Sequence, residues 1–180
     1  SLPGFQSNLA PEATVEVDDP EAQRSARFLT NGALEYDFED EPERDGFRAK
    51  AGHLPLDVTL AFKAPRKSDR VILYGSFSDN DKCTPVEYDL QVRTQGQWKK
   101  VDSVNLPADG RMPVLEAVIK RITWYAKPWI FLHRFAPVEA DAVRFHIVRT
   151  TWGQGIDKTI ETRDIPPRVH LREVQIYGPE

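Results

Sequence analysis

Aromatic rings and carboxylates are the chemical resources of this chain: its 180 residues include four Trp, five Tyr and nine Phe beside 28 Asp and Glu. Trp124, Trp129 and Trp152 lie near predicted loops, together with Phe77 and Tyr125. A flat indole offers an apolar plate to a ligand ring while carboxylates, amides and Arg bind its polar groups, the mixture expected of a small-ligand site. Signatures of covalent or metal chemistry are missing. The sequence has no Gly-x-Ser-x-Gly elbow, no His-Glu-x-x-His helix, no phosphate-cradling Gly-x-x-x-x-Gly-Lys loop and no dinucleotide-binding glycine run. His53 falls in a predicted loop and His133, His146 and His170 in predicted strands, where a lone imidazole packs or faces solvent more often than it binds a metal. Cys83, the one cysteine, has no nearby base and reads as a structural thiol; it leaves no internal disulfide and no cysteine-rich zinc site. Catalysis is not expected of this chain.

The elements that must position these groups are strands. Fourteen Pro and ten Gly divide the chain into short β-branched or aromatic runs, the pattern of a sandwich or barrel. Leu56, Val58, Leu60 and Phe62 alternate with Asp57, Thr59, Ala61 and Lys63, so one face is buried and the other wetter. Tyr88, Leu90 and Val92 do the same against Glu87, Asp89, Gln91 and Arg93, and the run then turns at Gly96 into a second strand opening on Trp98. Val71 to Tyr74 is continuously apolar and reads as a strand covered on both sides. Near the end the phase changes: Val169 and Leu171 share one parity, Val174 and Ile176 the other. One inward face then requires an extra residue near Arg172 or Glu173, a bulge that would re-aim Glu173. Leu115, Val118, Ile119 and Ile122 recur at helical spacing, yet Val118 to Tyr125 also suits a strand, the reading taken here. The acidic run from Glu35 to Asp45 reads as a solvated loop, and no repeat or linker tract marks a second domain within 1–180.

Composition narrows the partners. A net charge of −4 and a pI near 5.6 argue against a general nucleic-acid binder, which needs clustered Lys and Arg. No stretch approaches the ~20 apolar residues that span a bilayer. A start without Met or an apolar leader suggests a mature or excised fragment. No Asn-x-Ser/Thr sequon occurs, which points toward a bacterial source for a secreted chain.

Three phrases in order, Tyr88-Asp-Leu-Gln-Val-Arg-Thr-Gln-Gly-Gln-Trp-Lys-Lys-Val101, Phe135-Ala-Pro-Val-Glu-Ala-Asp-Ala-Val-Arg-Phe-His-Ile147 and Leu171-Arg-Glu-Val-Gln-Ile-Tyr-Gly178, resemble those of the discoidin-like domain, also known as coagulation-factor type C or galactose-binding-like. The resemblance covers most of the chain. It implies an all-β, antiparallel β-sandwich of jelly-roll type, one domain over 1–180, with Trp98 at a hairpin position that the family buries. It implies a non-catalytic carbohydrate-binding module that targets a larger secreted carbohydrate-active protein to polysaccharide, a monomer acting with other domains of its polypeptide outside the cell. Ligand positions carried over are Asp79, Asn80, Asp81 and Trp152, with Trp124 and Trp129 as further aromatic candidates; the Arg that many relatives place near Lys82 has no counterpart. A structural calcium is implied between Ala26–Ala33 and the last strand, with Phe28, Asn31 and Glu173 as its positions. Asn31-Gly32 reads equally as a bare left-handed turn. Two other roles stay open: a protein- or lipid-binding module with Phe77, Trp152 and Ile156 as apolar spikes, and a purely structural accessory domain.

Overall fold

A computed structural model describes residues 7–32, 47–50, 52–75, 84–106, 130–151 and 168–179. Within them lie strands β1 (Thr14–Val17), β2 (Phe47–Arg48), β3 (Leu56–Gly75), β4 (Thr84–Thr94), β5 (Gln97–Asn105), β6 (Ile130–Thr151) and β7 (His170–Tyr177), and a 3-10 helix over Ala22–Thr30. The sequence candidates Asp79, Asn80, Asp81, Trp124, Trp129 and Trp152, with Phe77, Cys83, Ile156, the acidic run and the ambiguous Leu115–Tyr125 stretch, lie outside the described residues.

Two strands organise the rest. β3 and β6 are 20 and 22 residues long, several times the usual strand length of about 5–6. They pair antiparallel from Leu56↔Ile147 to Tyr74↔Ile130, with register shifts between Ala61 and Arg66 and between Ser68 and Arg70. The shifts mark a corner. Before it the inward residues are even-numbered (Leu56, Val58, Leu60, Phe62), after it odd-numbered (Val71, Leu73). Lys63, Ala64 and Pro65 between them are exposed. A ribbon that changes phase in mid-course buries one continuous apolar face only by folding over, and this one contributes to both layers.

One layer runs β1, the first half of β3, the second half of β6, β4 and β5; the other runs β2, β7, the second half of β3 and the first half of β6. All these pairings are antiparallel. Phe145, Ile147, Leu90 and Val92 from the first layer meet Phe131, Val174, Ile176 and Leu171 from the second in one core. Ala22, Ala26 and Leu29 of the 3-10 helix are buried in the same core, and the helix packs on β1, β2 and β7 along one side of the sandwich. The hairpin at Gln95-Gly96 has positive φ at both residues, 51° and 75°, the backbone of a two-residue turn that matches strand twist. The bulge expected near Arg172 is present: Tyr74 faces Glu173 while Gly75 faces Leu171, leaving Arg172 as the inserted residue.

The chain enters and leaves together. The side-chain oxygen of Asn8 accepts the N–H groups of Ala10 and Ile176, each at 3.0 Å. Leu9 N–H donates to the Ile176 carbonyl at 2.7 Å, and the Arg70 guanidinium donates to the Gly178 carbonyl.

A polar bridge joins the layers on the side opposite the helix. On β5 the pairs Leu90↔Asp102 and Gln91↔Lys100 leave Val101 as an inserted residue, so Asp102 faces the same way as buried Leu90. Its carboxylate can only accept, so His133 Nδ1–H donates to it at 2.8 Å, and His133 Nε2 accepts the Tyr88 hydroxyl at 2.7 Å. Tyr88 and His133 are 1% and 2% exposed. The Tyr88 ring meets Phe131 and Phe145 edge to face at 5.7 and 5.9 Å. Burial pushes the His133 pKa below its usual value of 6.5, against the opposing pull of Asp102.

Tyr88→Phe would leave Nε2 a buried acceptor without a donor, and urea denaturation is expected to show a loss of about 1–3 kcal/mol. The unfolded chain takes up the imidazole proton first, so the neutral-His133 contribution is fully present above pH 6.5 and is lost as pH falls through the lower folded value. Glu173 has the opposite sign, since its carboxyl is raised to about 7. The decisive quantity is therefore the difference between wild type and His133→Gln across pH 5–7.5; curves that stay parallel would remove His133 from the account.

Candidate functional site

Strand order brings the flanks of four chain segments to one pole of the sandwich. Thr84 and Thr151 are cross-strand partners, so segments 76–83 and 152–167 meet the five-stranded layer side by side. Tyr74 faces Ile130 and Gly75 faces Leu171, which sets the start of 76–83 beside the ends of 107–129 and 152–167. Leu106 N–H donates to the Val86 carbonyl at 2.8 Å, bringing the start of 107–129 to the same place. Phe47 pairs with Leu171 and Gly32 with Glu173, so segment 33–46 also leaves and rejoins the fold there. Three of these segments carry all six ligand candidates: Asp79, Asn80 and Asp81 in the first, Trp124 and Trp129 in the second, and Trp152 directly after Thr151 in the third. The described flanks converge; the six side chains themselves lie outside the described residues.

Arg149 ties this pole together and was not legible as a site residue. Its Nε donates to Glu87 Oε2 at 3.0 Å and its Nη2 to Asn105 Oδ1 at 3.2 Å and the Leu106 carbonyl at 2.7 Å. One guanidinium thus clamps β4, β5 and β6 where three segments leave them. The sequence signal would have been the cross-strand pairing of Arg149 with Glu87, and that depends on a register known only from the fold.

The implied cation positions fall at the edge of the same pole. Asp19, 1% exposed, fixes the start of the 3-10 helix. It accepts Glu21 N–H at 3.0 Å and Lys50 N–H at 2.7 Å. Burial raises the Asp19 carboxyl pKa, but the backbone donors of Lys50, Glu21 and Ala22 outweigh it and hold the group below its usual range. The helix ends at exposed Asn31, in right-handed backbone, followed by Gly32 at φ +77°, the left-handed geometry expected of the turn. Gly32 N–H donates to Glu173 Oε1 at 3.0 Å. Glu173 is fully buried and its Oε2 has no hydrogen-bond partner among the described residues. Burial raises its pKa to about 7, only partly offset by the Gly32 N–H and the Arg172 charge.

The buried Oε2, unmatched among the described residues, is a hard oxygen of the type that calcium takes as a ligand. Phe28 is half-buried beside the Arg27 guanidinium, 4.8 Å from its ring centroid. Among the described residues no group of three or more His, Cys, Asp or Glu side chains is arranged to hold a metal, so a cation here would depend on carbonyl and amide oxygens beside Glu173.

Trp98 departs from the resemblance. It is half-buried on the outer face, not in the core. Trp98 faces Arg93 across the hairpin, and Arg93 is an outward position on a strand whose Tyr88, Leu90 and Val92 point inward, so parity sends the indole outward.

No family model matches the sequence, and no curated protein matches it either. Solved structures do resemble it. CpGH89CBM32-5 from Clostridium perfringens, in complex with GalNAc-beta-1,3-galactose, is 13% identical, with 96% of this chain and 100% of that one covered at a TM-score of 0.60. The family 32 carbohydrate-binding module of C. perfringens NanJ, in complex with galactose, is 12% identical, with 96% and 98% covered at 0.58. SpGH29 is 18% identical over 98% of this chain at 0.61, and there the chain spans only 29% of the other protein. Taken with the folded ribbon and the two antiparallel layers, these likenesses identify the fold: an antiparallel β-sandwich of the kind seen in these carbohydrate-binding modules.

Proposed function

We propose that this chain is a non-catalytic glycan-binding module whose site is formed by Asp79, Asn80, Asp81 and Trp152, with Trp124 and Trp129 as flanking aromatic surface. One observation carries the reading: the strand ends on either side of these residues meet at a single pole, with Thr151, the residue before Trp152, paired to Thr84. The fold's likeness to modules in complex with galactose and with GalNAc-beta-1,3-galactose supports it. An indole would stack on the C–H face of a pyranose while the carboxylates and amide bind hydroxyls. The module would act as a monomer within a larger secreted, bacterial carbohydrate-active protein. A weak site suffices there, because tethering raises the effective concentration of a partner domain near polysaccharide. Calorimetric titration against neutral, acidic and sulfated glycans tests this. Binding to at least one neutral glycan, weakened about tenfold or more by Trp152→Ala with circular dichroism unchanged, is expected; silence across the whole panel would reject the reading.

The same proposal includes a structural calcium held by Glu173, with Asn31 and the Phe28 carbonyl as neighbouring oxygen donors. Bound there, the ion would neutralise a buried carboxylate and pin the turn from which segment 33–46 departs. Calcium at about ten times its Kd is expected to raise the Tm of chelator-treated protein by roughly 3–6 °C. Glu173→Gln should abolish that rise. Identical melting curves in chelator and in millimolar calcium would exclude the site.

A further inference from the structure

The outer face of the five-stranded layer carries a second arrangement, away from the pole. Trp98 on β5 faces Arg93 on β4, which faces Ala142 on β6; in the next row Lys100 faces Gln91, which faces Arg144, which faces Thr59 on β3. The Arg144 guanidinium lies over the Trp98 ring at 4.0 Å from its centroid, and that of Arg93 at 5.4 Å. Arg144 Nε donates to Gln91 Oε1 at 2.7 Å, and Arg93 Nε to Asp141 Oδ1 at 2.7 Å. Ala142 is fully buried although it belongs to the outer face, so the stacked groups roof the sheet here.

Three of the carboxylates on this face are taken by neighbouring cations. Asp141 is taken by Arg93, Asp57 by His146 at 2.6 Å, and Asp89 by Lys100 at 3.7 Å. Among the described residues the two terminal nitrogens of Arg144 have no partner, and Glu16, beyond Thr59 on the β1 edge, forms no ion pair with it. A guanidinium whose plane is set by an indole and whose Nε is already bonded keeps its terminal fork pre-oriented. That fork matches a carboxylate, which it binds through two parallel N–H bonds. Beside it the half-buried indole offers an apolar plate.

We propose that Trp98 and Arg144 form a second saccharide site, selective for uronate sugars: the ring carboxylate is held by the Arg144 fork and the sugar's C–H face packs on the indole edge. The inference takes its ligand class from the glycan reading above but uses none of the six candidate residues assigned to the pole, so the two can fail separately. The test is ¹H–¹⁵N NMR of the whole chain titrated with a short oligogalacturonate and with its methyl ester, which has the same ring and no charge. The Trp98 indole N–H and Arg144 Nε–H resonances are expected to shift with the acid and stay still with the ester. Arg144→Gln should weaken the response about tenfold or more, and Arg144→Lys, which keeps the charge but loses the fork, should weaken it as well. An unmoved Trp98 indole in wild type overturns the site whatever happens at the pole. Equal shifts with a sulfated galactan overturn the carboxylate assignment, and full retention of binding by Arg144→Lys overturns the bidentate geometry.

Discussion

The pairing of β3 with β6 along a ribbon bent double is the interaction on which this structure depends. Every other described strand is hydrogen-bonded to one of these two, or to a strand that is. β1 and β7 flank opposite halves of β3, and β4 flanks the returning half of β6. Because the bend reverses the direction of both strands, the open end of the ribbon and the ends of its neighbours fall at one pole while the corner forms the other. The gathering of loop flanks is thus a consequence of topology and does not need any loop to be rigid.

The two open sides of the sandwich are closed by different physics. On one side a 3-10 helix inserts Ala22, Ala26 and Leu29 into the core, a closure whose buried contacts are apolar. On the other, Asp102, His133 and Tyr88 close the gap with hydrogen bonds whose worth depends on the imidazole staying neutral. The price of that polar closure is desolvation of an ionisable ring, offset by two well-formed bonds. Glu173 presents the reverse situation: a carboxyl that is buried at 0% exposure with one oxygen bonded and the other without a partner among the described residues. A fold with a complete core has no structural need for such a group, which is why it directs attention to what else that turn could hold.

Much of the fold was legible because strand alternation has a period of two and needs no long-range information. Leu56 to Phe62 and Tyr88 to Val92 show it directly, and the change of parity between Leu171 and Val174 marked the bulge at Arg172. The length of β6 was not legible. Pro137 reads as a break, yet it stands between the pairs Ser68↔Val138 and Arg70↔Arg134, where the ladder pauses at the corner and no N–H is required. The Tyr88–His133–Asp102 bridge was equally hidden, since its members are 45 and 31 residues apart and only layer packing unites them. Trp98 was misplaced inward by resemblance although its parity with Arg93 already pointed outward. At the candidate site, Glu173 was read from the sequence together with its turn partner. Arg149, whose role is set by register, was not.

Asn8 has a wider consequence. By bonding to Ile176 it holds the incoming and outgoing backbone side by side near the corner, roughly five residues of strand away from the loop-bearing pole at about 3.3 Å each. Any neighbour joined through either terminus would hang from the same base, like a stem beneath a flower. Rotation about that stem would sweep the opposite surface through space without hiding it.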